Sequence, residues 1–266
     1  MATPAAAFFD LDKTIIATSS AFAFGKEFLN SGMISRQEAL EISLAKASYM
    51  WLGQSSEKMD STRDALAQMT AGWRVEDIQK ITTETMRTVV TPAIYAEARE
   101  LIRSHHEAGR EVIIISASAS ILVEPIAREL GVDTVVATEL EVEGGALTGR
   151  VTRYLKGEAK ADAVRRFAAE RGYDLAASYA YSDSATDIPM LALVGHPVAV
   201  NPDRALKKHA MSSGWGVLSF KNPEPLIAVP NAREVGIGAG ILAAVGAALA
   251  AGFAVTKALR NNKESA

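Results

Sequence analysis

Short apolar runs recur along the chain, and stretches with the spacing of amphipathic helices lie between them. Apolar runs of this length that are rich in β-branched residues are typical of buried parallel strands. The runs predict strands at Ala5–Leu11, Glu111–Ser116, Ser178–Ser182 and Pro197–Val200, and an edge strand at Gly216–Phe220. Helical spacing predicts helices at Ile121–Leu130, Glu158–Arg171, Ala185–Leu193 and Arg204–Met211. This alternation predicts an α/β fold with a doubly wound parallel sheet, in which ligands bind at the carboxyl ends of the strands.

Two segments depart from the alternation. From Ser19 to Thr91 the chain consists of long amphipathic stretches with few β-branched runs, which predicts a helical insertion directly after the first strand. From Glu139 to Arg153, apolar and polar residues alternate around Gly144-Gly145, which predicts a β-hairpin. We therefore expect a core of residues 1–18 and 92–220, interrupted by a helical domain of residues 19–91.

A stretch without charged residues runs from Val235 to Thr256, after a proline-rich linker at residues 221–234. As an α-helix it would be about 33 Å long, enough for the roughly 30 Å hydrocarbon layer of a membrane. We predict a C-terminal apolar helix that crosses the membrane once, with a flexible tail or a buried helix as the alternatives. Small residues at every fourth position favour close packing of two such helices, and hence a homodimer. They are Gly236, Gly240, Ala244, Ala248 and Gly252.

Composition excludes several classes of function. The chain has 28 basic and 31 acidic residues and a formal charge of −3, with no basic stripe that would follow a nucleic-acid backbone. It has no cysteine, which excludes disulfides, thiol nucleophiles and thiolate metal sites. The four histidines are interpreted as surface or capping residues. The N-terminus lacks the pattern of a secretory signal, so we expect the catalytic part to be cytoplasmic.

Two carboxylates follow the first predicted strand. Asp10 and Asp12 point the same way because side chains alternate along a strand, and they lie at the end where substrates bind. One carboxylate could attack phosphorus, while the other, if protonated, could donate to the leaving oxygen and later activate water. An Asp-X-Asp triplet also occurs as a solvated or helix-capping pair, so this signal depends on the elements that follow.

Three further elements come in order at the starts of helices and the ends of strands. Ser116-Ala117-Ser118 ends the second strand, where its amides and hydroxyls could hold phosphoryl oxygens; a helix N-cap is the alternative. Lys160 begins a helix, where a cation is disfavoured by the dipole unless an anion lies nearby; a solvated helix lysine is the alternative. Acidic residues after the third strand, in the segment SDSATD, could supply the oxygen ligands that Mg²⁺ requires, although capping would also explain them.

Taken together, these segments resemble the four motifs of the haloacid dehalogenase-like hydrolase superfamily, in its subfamily related to phosphoserine phosphatase. The segments are FFDLDKT, IIIISAS, GEAK and AYSDSATD, and the resemblance runs from Ala6 to Phe220. It implies a Rossmann-like core, a phosphatase activity on phosphate monoesters with an aspartyl-phosphate intermediate, and a helical cap that closes over the site.

The resemblance also implies a role for each site residue. Asp10 would be the nucleophile and Asp12 the acid/base, and Lys160 would stabilise the aspartate and the phosphoryl charge. Thr14 and Ser116 would form hydrogen bonds around the site, together with Ala117 and Ser118. Magnesium would be bound by the Asp10 carboxylate, the Asp12 main-chain carbonyl and Asp183, supported by Ser184 and Asp187.

Two positions depart from the family's usual pattern. Ser184 stands where glycine is usual, and Ser19 stands about where phosphoserine-specific relatives carry a glutamate that binds the substrate's amino group. Serine specificity is therefore not expected, and small phosphorylated metabolites and lipid head groups both remain as substrates. The alternatives are a phosphotransferase or mutase with the same site, a dehalogenase, and a non-catalytic membrane scaffold.

Overall fold

The computed structural model describes residues 4–35, 37, 67–132 and 134–223. In this part of the chain, seven strands form one sheet: β1 Ala6–Phe9, β2 Glu111–Ala119, β3 Thr134–Glu143, β4 Ala146–Arg153, β5 Tyr179–Ser182, β6 His196–Val200 and β7 Gly216–Leu218. Their order across the sheet is β4-β3-β2-β1-β5-β6-β7. Every neighbouring pair is parallel except β3 and β4. The prediction of an α/β fold with a mainly parallel sheet is confirmed.

The α-helices of the described residues are α1 Ser20–Asn30, α2 Val75–Thr85, α3 Ala96–Glu107, α4 Ser120–Glu129, α5 Glu158–Arg171, α6 Ile188–Leu191 and α7 Arg204–Ser213. Shorter helical turns occupy Met86–Val90, Thr91–Ala93, Leu175–Ala177 and Ala185–Asp187. Side chains of the central strands alternate between two cores, because successive residues of a strand face opposite ways. Phe9 packs in the core that includes side chains of α1 to α4, and Phe8 packs in the core that includes α5, α6 and α7.

Two predicted elements differ from those observed. The predicted helix Ala185–Leu193 is a 3-10 turn followed by the short helix α6, because Pro189 has no N–H to donate to the carbonyl of Ala185. Strand β3 begins at Thr134, before the predicted hairpin, and its first half pairs with β2. The hairpin itself is confirmed, and Gly144 and Gly145 have φ of 57° and 80°, a conformation that favours glycine.

The hairpin also binds the predicted helical insertion. The amide of Gly72 donates to the carbonyl of Leu147 at 2.8 Å, and the amide of Leu147 donates to the carbonyl of Trp73 at 2.9 Å. Helices α1 and α2 belong to the insertion, whereas residues 38–66 lie outside the described part of the chain. The domain boundaries therefore remain predictions.

The linker beyond residue 223 and the stretch Val235–Thr256 also lie outside the described residues. Within the described ranges, no helix has the length and apolar character needed to cross a membrane. The C-terminal apolar helix and the dimer that it would form thus remain predictions from the sequence.

His105 is buried, so its interpretation as a surface residue is wrong. The residue is 1% exposed, and Arg110 Nε donates to His105 Nδ1 at 2.7 Å. The neutral ring therefore carries its proton on Nε2, which lies 2.8 Å from the Tyr181 hydroxyl. Burial, together with the charge of Arg110, lowers the pKa of His105 to about 4. The sequence around His105 is polar and did not indicate burial. The contact of His105 with Tyr181 depends on the position of β5.

Candidate active site

The predicted site residues meet where the strand order reverses. The chain passes from β1 to β2 on one side of the sheet, and β5 pairs with β1 on the other. Asp10 directly follows β1, and Asp183 directly follows β5. The amide of Asp10 donates to the carbonyl of Tyr181 at 2.9 Å, which holds the ends of the two strands together. Crevices at such reversals are where open α/β sheets bind their ligands.

A buried lysine joins two buried carboxylates at this point. Lys160 Nζ donates to Asp10 Oδ1 and to Asp187 Oδ2, each at 2.7 Å. The exposed fractions are 2% for Lys160, 6% for Asp10 and 1% for Asp187. The Thr14 hydroxyl donates to the other oxygen of Asp10 at 3.2 Å, and the Ser182 hydroxyl donates to Asp187 Oδ2 at 2.7 Å. Lys160 is therefore the partner of a carboxylate pair, and the alternative of a solvated helix lysine is excluded.

Burial and charge shift the pKa values of this cluster. Burial raises the pKa of Asp10 to about 7, against the lowering effect of Lys160, and Asp187 and Asp12 add to the rise. Burial opposes the charge of Lys160, but Asp10 and Asp187 outweigh it and raise the pKa of the lysine. Burial likewise raises the pKa of Asp183 to about 6, although the charge of Lys13 opposes that rise. Burial therefore favours the neutral forms of Asp10 and Asp183, whereas the two carboxylates around Lys160 favour its charged form.

Asp12 is held by groups from two different elements. The Ser118 hydroxyl donates to Asp12 Oδ2 at 2.7 Å, and the backbone amide of Ser20 donates to Asp12 Oδ1 at 2.9 Å. Ser20 is the first residue of α1, so the carboxylate of Asp12 lies at the positive end of that helix. The Ser20 hydroxyl is buried and has no hydrogen-bond partner among the described residues. Asp12 is therefore oriented by both the core and the first helix of the insertion.

The segment Ser116-Ala117-Ser118 forms a bulge at the end of β2. The register between β2 and β3 shifts between Ser116 and Ala119, so Ala117 and Ser118 are extra residues on the β2 side. The amide of Ser118 donates to the Ser116 hydroxyl at 3.1 Å. The segment lies beside Asp12 as expected, and its contacts with phosphoryl oxygens remain a prediction.

The loop after β5 is held by Asp203, which the sequence had not indicated. The amide of Asp203 donates to the carbonyl of Asp183 at 2.8 Å, and Asp203 Oδ2 accepts from the amide of Ala185 at 2.9 Å. Ser184, the departure from the family's glycine, has φ of −114° and ψ of 138°. This is ordinary extended backbone, so serine fits there without strain.

The oxygen donors at these strand ends fit a divalent cation. Groups that interact electrostatically here are four carboxyls and two ammonium groups, those of Asp10, Asp12, Asp183, Asp187, Lys13 and Lys160. Asp187 Oδ1 is buried and has no hydrogen-bond partner in the described part of the chain. Hydrated Mg²⁺ would offset the excess negative charge and offers water protons as donors. No cluster of three acidic or imidazole side chains suited to a metal occurs in the described ranges.

A groove of about 550 Å³ lies between α3 and the residues around β7. Its lining comprises Ala96, Glu97, Glu100, Leu101, Ser104, Leu218 and Phe220. It contains acidic side chains but no cation, and none of the predicted site residues lines it. We therefore assign the chemistry to the strand ends.

Comparison with known proteins gives a consistent picture. A family model described as haloacid dehalogenase-like hydrolase matches residues 7–192. A probable phosphatase of Mycobacterium tuberculosis is 48% identical over 257 residues, which cover 96% of this chain and 88% of that protein. A phosphoserine phosphatase of the same species is 37% identical, covering 91% of this chain and 80% of its own length. A histidinol-phosphatase of Neisseria meningitidis is 34% identical, and the match covers 81% of this chain and 98% of that protein.

Two solved structures illustrate the likeness of fold. A protein of unknown function from Bordetella pertussis Tohama I has a TM-score of 0.73 at 27% identity, covering 85% of this chain and 100% of that chain. A phosphoserine phosphatase solved as an analogue of its phospho-aspartyl intermediate has a TM-score of 0.61 at 22% identity, covering 88% and 98%. At 22% identity, the likeness to the phosphoserine phosphatase concerns the fold alone.

Proposed function

Because the chain belongs to the haloacid dehalogenase-like hydrolase family and is a phosphoric monoester hydrolase, we propose that it hydrolyses its substrate through an aspartyl-phosphate on Asp10. The observation that carries the proposal is the contact of 2.7 Å between the buried Asp10 carboxylate and the buried Lys160 ammonium group. Asp12 supports it, since a second carboxyl two residues further along is held in place by Ser118 and Ser20. A nucleophile, a cation and an acid/base are then close together.

In the first step, a carboxylate oxygen of Asp10 forms a bond to phosphorus, and the bond from phosphorus to the ester oxygen breaks. The leaving oxygen takes a proton from Asp12 and departs as an alcohol. Lys160 neutralises the negative charge that would otherwise keep the carboxylate and the phosphoryl group apart. Such positioning and charge neutralisation supply most of the catalysis in phosphoryl transfer.

In the second step, water attacks phosphorus and loses a proton to Asp12. The bond between phosphorus and the Asp10 oxygen breaks, which releases inorganic phosphate and restores the Asp10 carboxylate. The hydrogen bonds from Ser118 and Ser20 support this role because they fix both oxygens of Asp12. The same residue thus acts as acid in the first step and as base in the second.

Magnesium would be held by the Asp10 carboxylate, the Asp12 main-chain carbonyl and Asp183, with Ser184 and Asp187 next to these ligands. When bound, it supplies positive charge to the phosphoryl oxygens. The buried Asp187 Oδ1, which has no hydrogen-bond partner among the described residues, supports this assignment, because carboxylate oxygens are suited to a hydrated divalent cation.

We propose a small phosphorylated alcohol as the substrate, without strong preference for phosphoserine. Ser19 is the N-cap of α1, and its hydroxyl accepts from the amide of Phe22 at 3.2 Å. It brings no charge to the position where an ammonium group would need a carboxylate. The relatives named phosphoserine phosphatase and histidinol-phosphatase support the general class of phosphorylated alcohols.

The test is release of phosphate by the full-length protein from an aryl phosphate and a panel of metabolites and phospholipid head groups. We expect activity with Mg²⁺ and none with excess chelator. Asp10→Asn should lower kcat by at least about a thousandfold, and Asp162→Asn, at an exposed position of α5, should not. Full activity of Asp10→Asn would overturn the mechanism, and a phosphorylated acceptor in place of free phosphate would indicate a phosphotransferase.

The membrane tether is a further part of the proposal and rests on the sequence of Val235–Thr256. With the catalytic part in the cytoplasm, the tether would bring the site near phospholipid head groups. Full-length protein should then sediment with membranes through a carbonate wash, and protein ending near Pro230 should be soluble and active. Recovery of full-length protein in the soluble fraction would remove both the tether and the reason to expect a lipid substrate.

A further inference from the structure

The bulge that carries Ser118 is fastened by a buried threonine of the neighbouring strand. Pairing between β2 and β3 resumes with Ala119 opposite Thr138, directly after the two extra residues. Thr138 is 4% exposed, and its hydroxyl donates to the carbonyl of Ala117 at 2.7 Å. Without this contact the Ala117 carbonyl would lose a partner at the point where the ladder is interrupted.

The same hydroxyl reaches the segment that leads to Lys160. The amide of Leu155 donates to Thr138 Oγ1 at 3.1 Å. Leu155 is buried and lies just before α5, whose first turn carries Lys160. One hydroxyl therefore joins the loop with Ser118 to the approach of the helix with Lys160.

We infer that Thr138 is a positioning residue of the active site, an inference that rests on the proposed function. Its hydroxyl fixes the backbone of Ala117, and the next residue, Ser118, holds Asp12 at 2.7 Å. The position of the acid/base thus depends on Thr138, which does not itself touch the reacting groups. A shift of the bulge would misplace the proton donor, because Ser118 is the residue of the bulge that binds Asp12.

The chain contains a matched control at the opposite end of the sheet. The Ser178 hydroxyl donates to the carbonyl of Asp174 at 2.6 Å and accepts from the amide of Ala6 at 3.1 Å. Ser178 is fully buried and precedes β5, whereas Asp183 follows that strand. At a rise of about 3.3 Å per residue, the five residue steps from Ser178 to Asp183 span roughly 17 Å. Loss of the Ser178 hydroxyl removes the same two kinds of hydrogen bond without touching the site.

The measurement that tests this inference is how strongly kcat/KM depends on the leaving group of the substrate. An aryl phosphate releases a stable phenolate and has little need of a proton, whereas an alkyl phosphate needs one from Asp12. The ratio of kcat/KM for the two substrates therefore reports the placement of Asp12. It does not depend on the amount of folded protein, so simple destabilisation leaves it unchanged.

The experiment compares Thr138→Val, Thr138→Ser and Ser178→Ala in the full-length protein with Mg²⁺. The substrates are an aryl phosphate and the alkyl phosphate that the wild type hydrolyses fastest. We expect Thr138→Val to lower the alkyl-to-aryl ratio tenfold or more and Thr138→Ser to restore it. Ser178→Ala should leave the ratio as in the wild type. If Thr138→Val yields too little folded protein, Thr138→Ala is compared by the same ratio.

The outcomes separate the inference from the proposed function. If Thr138→Val lowers kcat/KM equally for both substrates, the ratio is unchanged. This result would overturn the positioning role while the phosphatase mechanism stands. A ratio that falls equally in Ser178→Ala would also overturn it. If the wild type hydrolyses neither substrate, or does so without Asp10, the proposed function itself fails.

Discussion

Lys160 Nζ lies 2.7 Å from Asp10 Oδ1, although the two residues are 150 positions apart in the sequence. A buried lysine or a buried carboxylate would each be costly alone, and their contact offsets that cost. The same ammonium group also binds Asp187, so one cation serves two carboxylates. This arrangement leaves Asp10 close to a positive charge while the surrounding acids keep the site electronegative.

The first prediction is that replacing Lys160 lowers the free energy of unfolding more than replacing Asp10. Lys160→Met leaves Asp10 and Asp187 buried without their cation, so the free energy of unfolding should fall by about 3 kcal/mol or more. Asp10→Asn leaves Lys160 paired with Asp187 and should lower it less. Both variants should be inactive. Urea unfolding measures the difference, and equal destabilisation of the two variants would contradict the shared-cation arrangement.

The second prediction concerns Asp203, which fixes the loop of the proposed metal ligand Asp183. Asp203→Ala should raise the Mg²⁺ concentration for half-maximal activity by roughly tenfold, since partners of ligand-bearing groups commonly matter that much. Asp203 caps α7, where it accepts from the amide of Leu206 at 2.7 Å. Asp174→Ala is the matched control, because Asp174 likewise caps a helical turn and accepts from the amide of Ala176 at 2.9 Å. Identical Mg²⁺ dependence in the two variants would show that Asp203 only stabilises the fold.

The third prediction concerns specificity at Ser19. The wild type should not prefer phosphoserine to glycerol phosphate strongly, because an unpaired ammonium group disfavours closure of the site. Ser19→Glu should raise the preference for phosphoserine, as a ratio of kcat/KM, by roughly tenfold. Ser19→Gln has nearly the same shape without the charge and should not. A thousandfold preference in the wild type would show that another residue supplies the charge.

The fourth prediction concerns stability at acid pH. His105 is neutral in the fold with a pKa of about 4, below its ordinary 6.5, so the unfolded chain binds the proton more tightly. The stabilisation from His105 should be complete above pH 6.5 and fall as the pH decreases to about 4. The stability difference between wild type and His105→Gln should shrink over this window by roughly 1–3 kcal/mol. A difference that is independent of pH would show that folding does not lower the pKa of His105.

The residues of the candidate site could be singled out from the sequence because each belongs to a short local motif. Asp10, Lys160 and Asp183 each stand next to a predicted strand end or helix start, and parallel strands bring such ends together. Thr138 and Asp203 gave no signal, because their roles depend on a bulge and a loop that only tertiary pairing creates. The burial of His105 was not predicted for the same reason, since the residues that cover it come from β1 and β5.

The stereochemical course at phosphorus tests the central claim most directly. An isotopically chiral thiophosphate monoester is hydrolysed by the full-length protein in heavy-oxygen water, and the configuration of the released thiophosphate is determined. Attack by Asp10 followed by attack of water comprises two in-line displacements, so we expect retention of configuration. Inversion would show that water attacks the ester in a single step and would contradict an aspartyl-phosphate on Asp10.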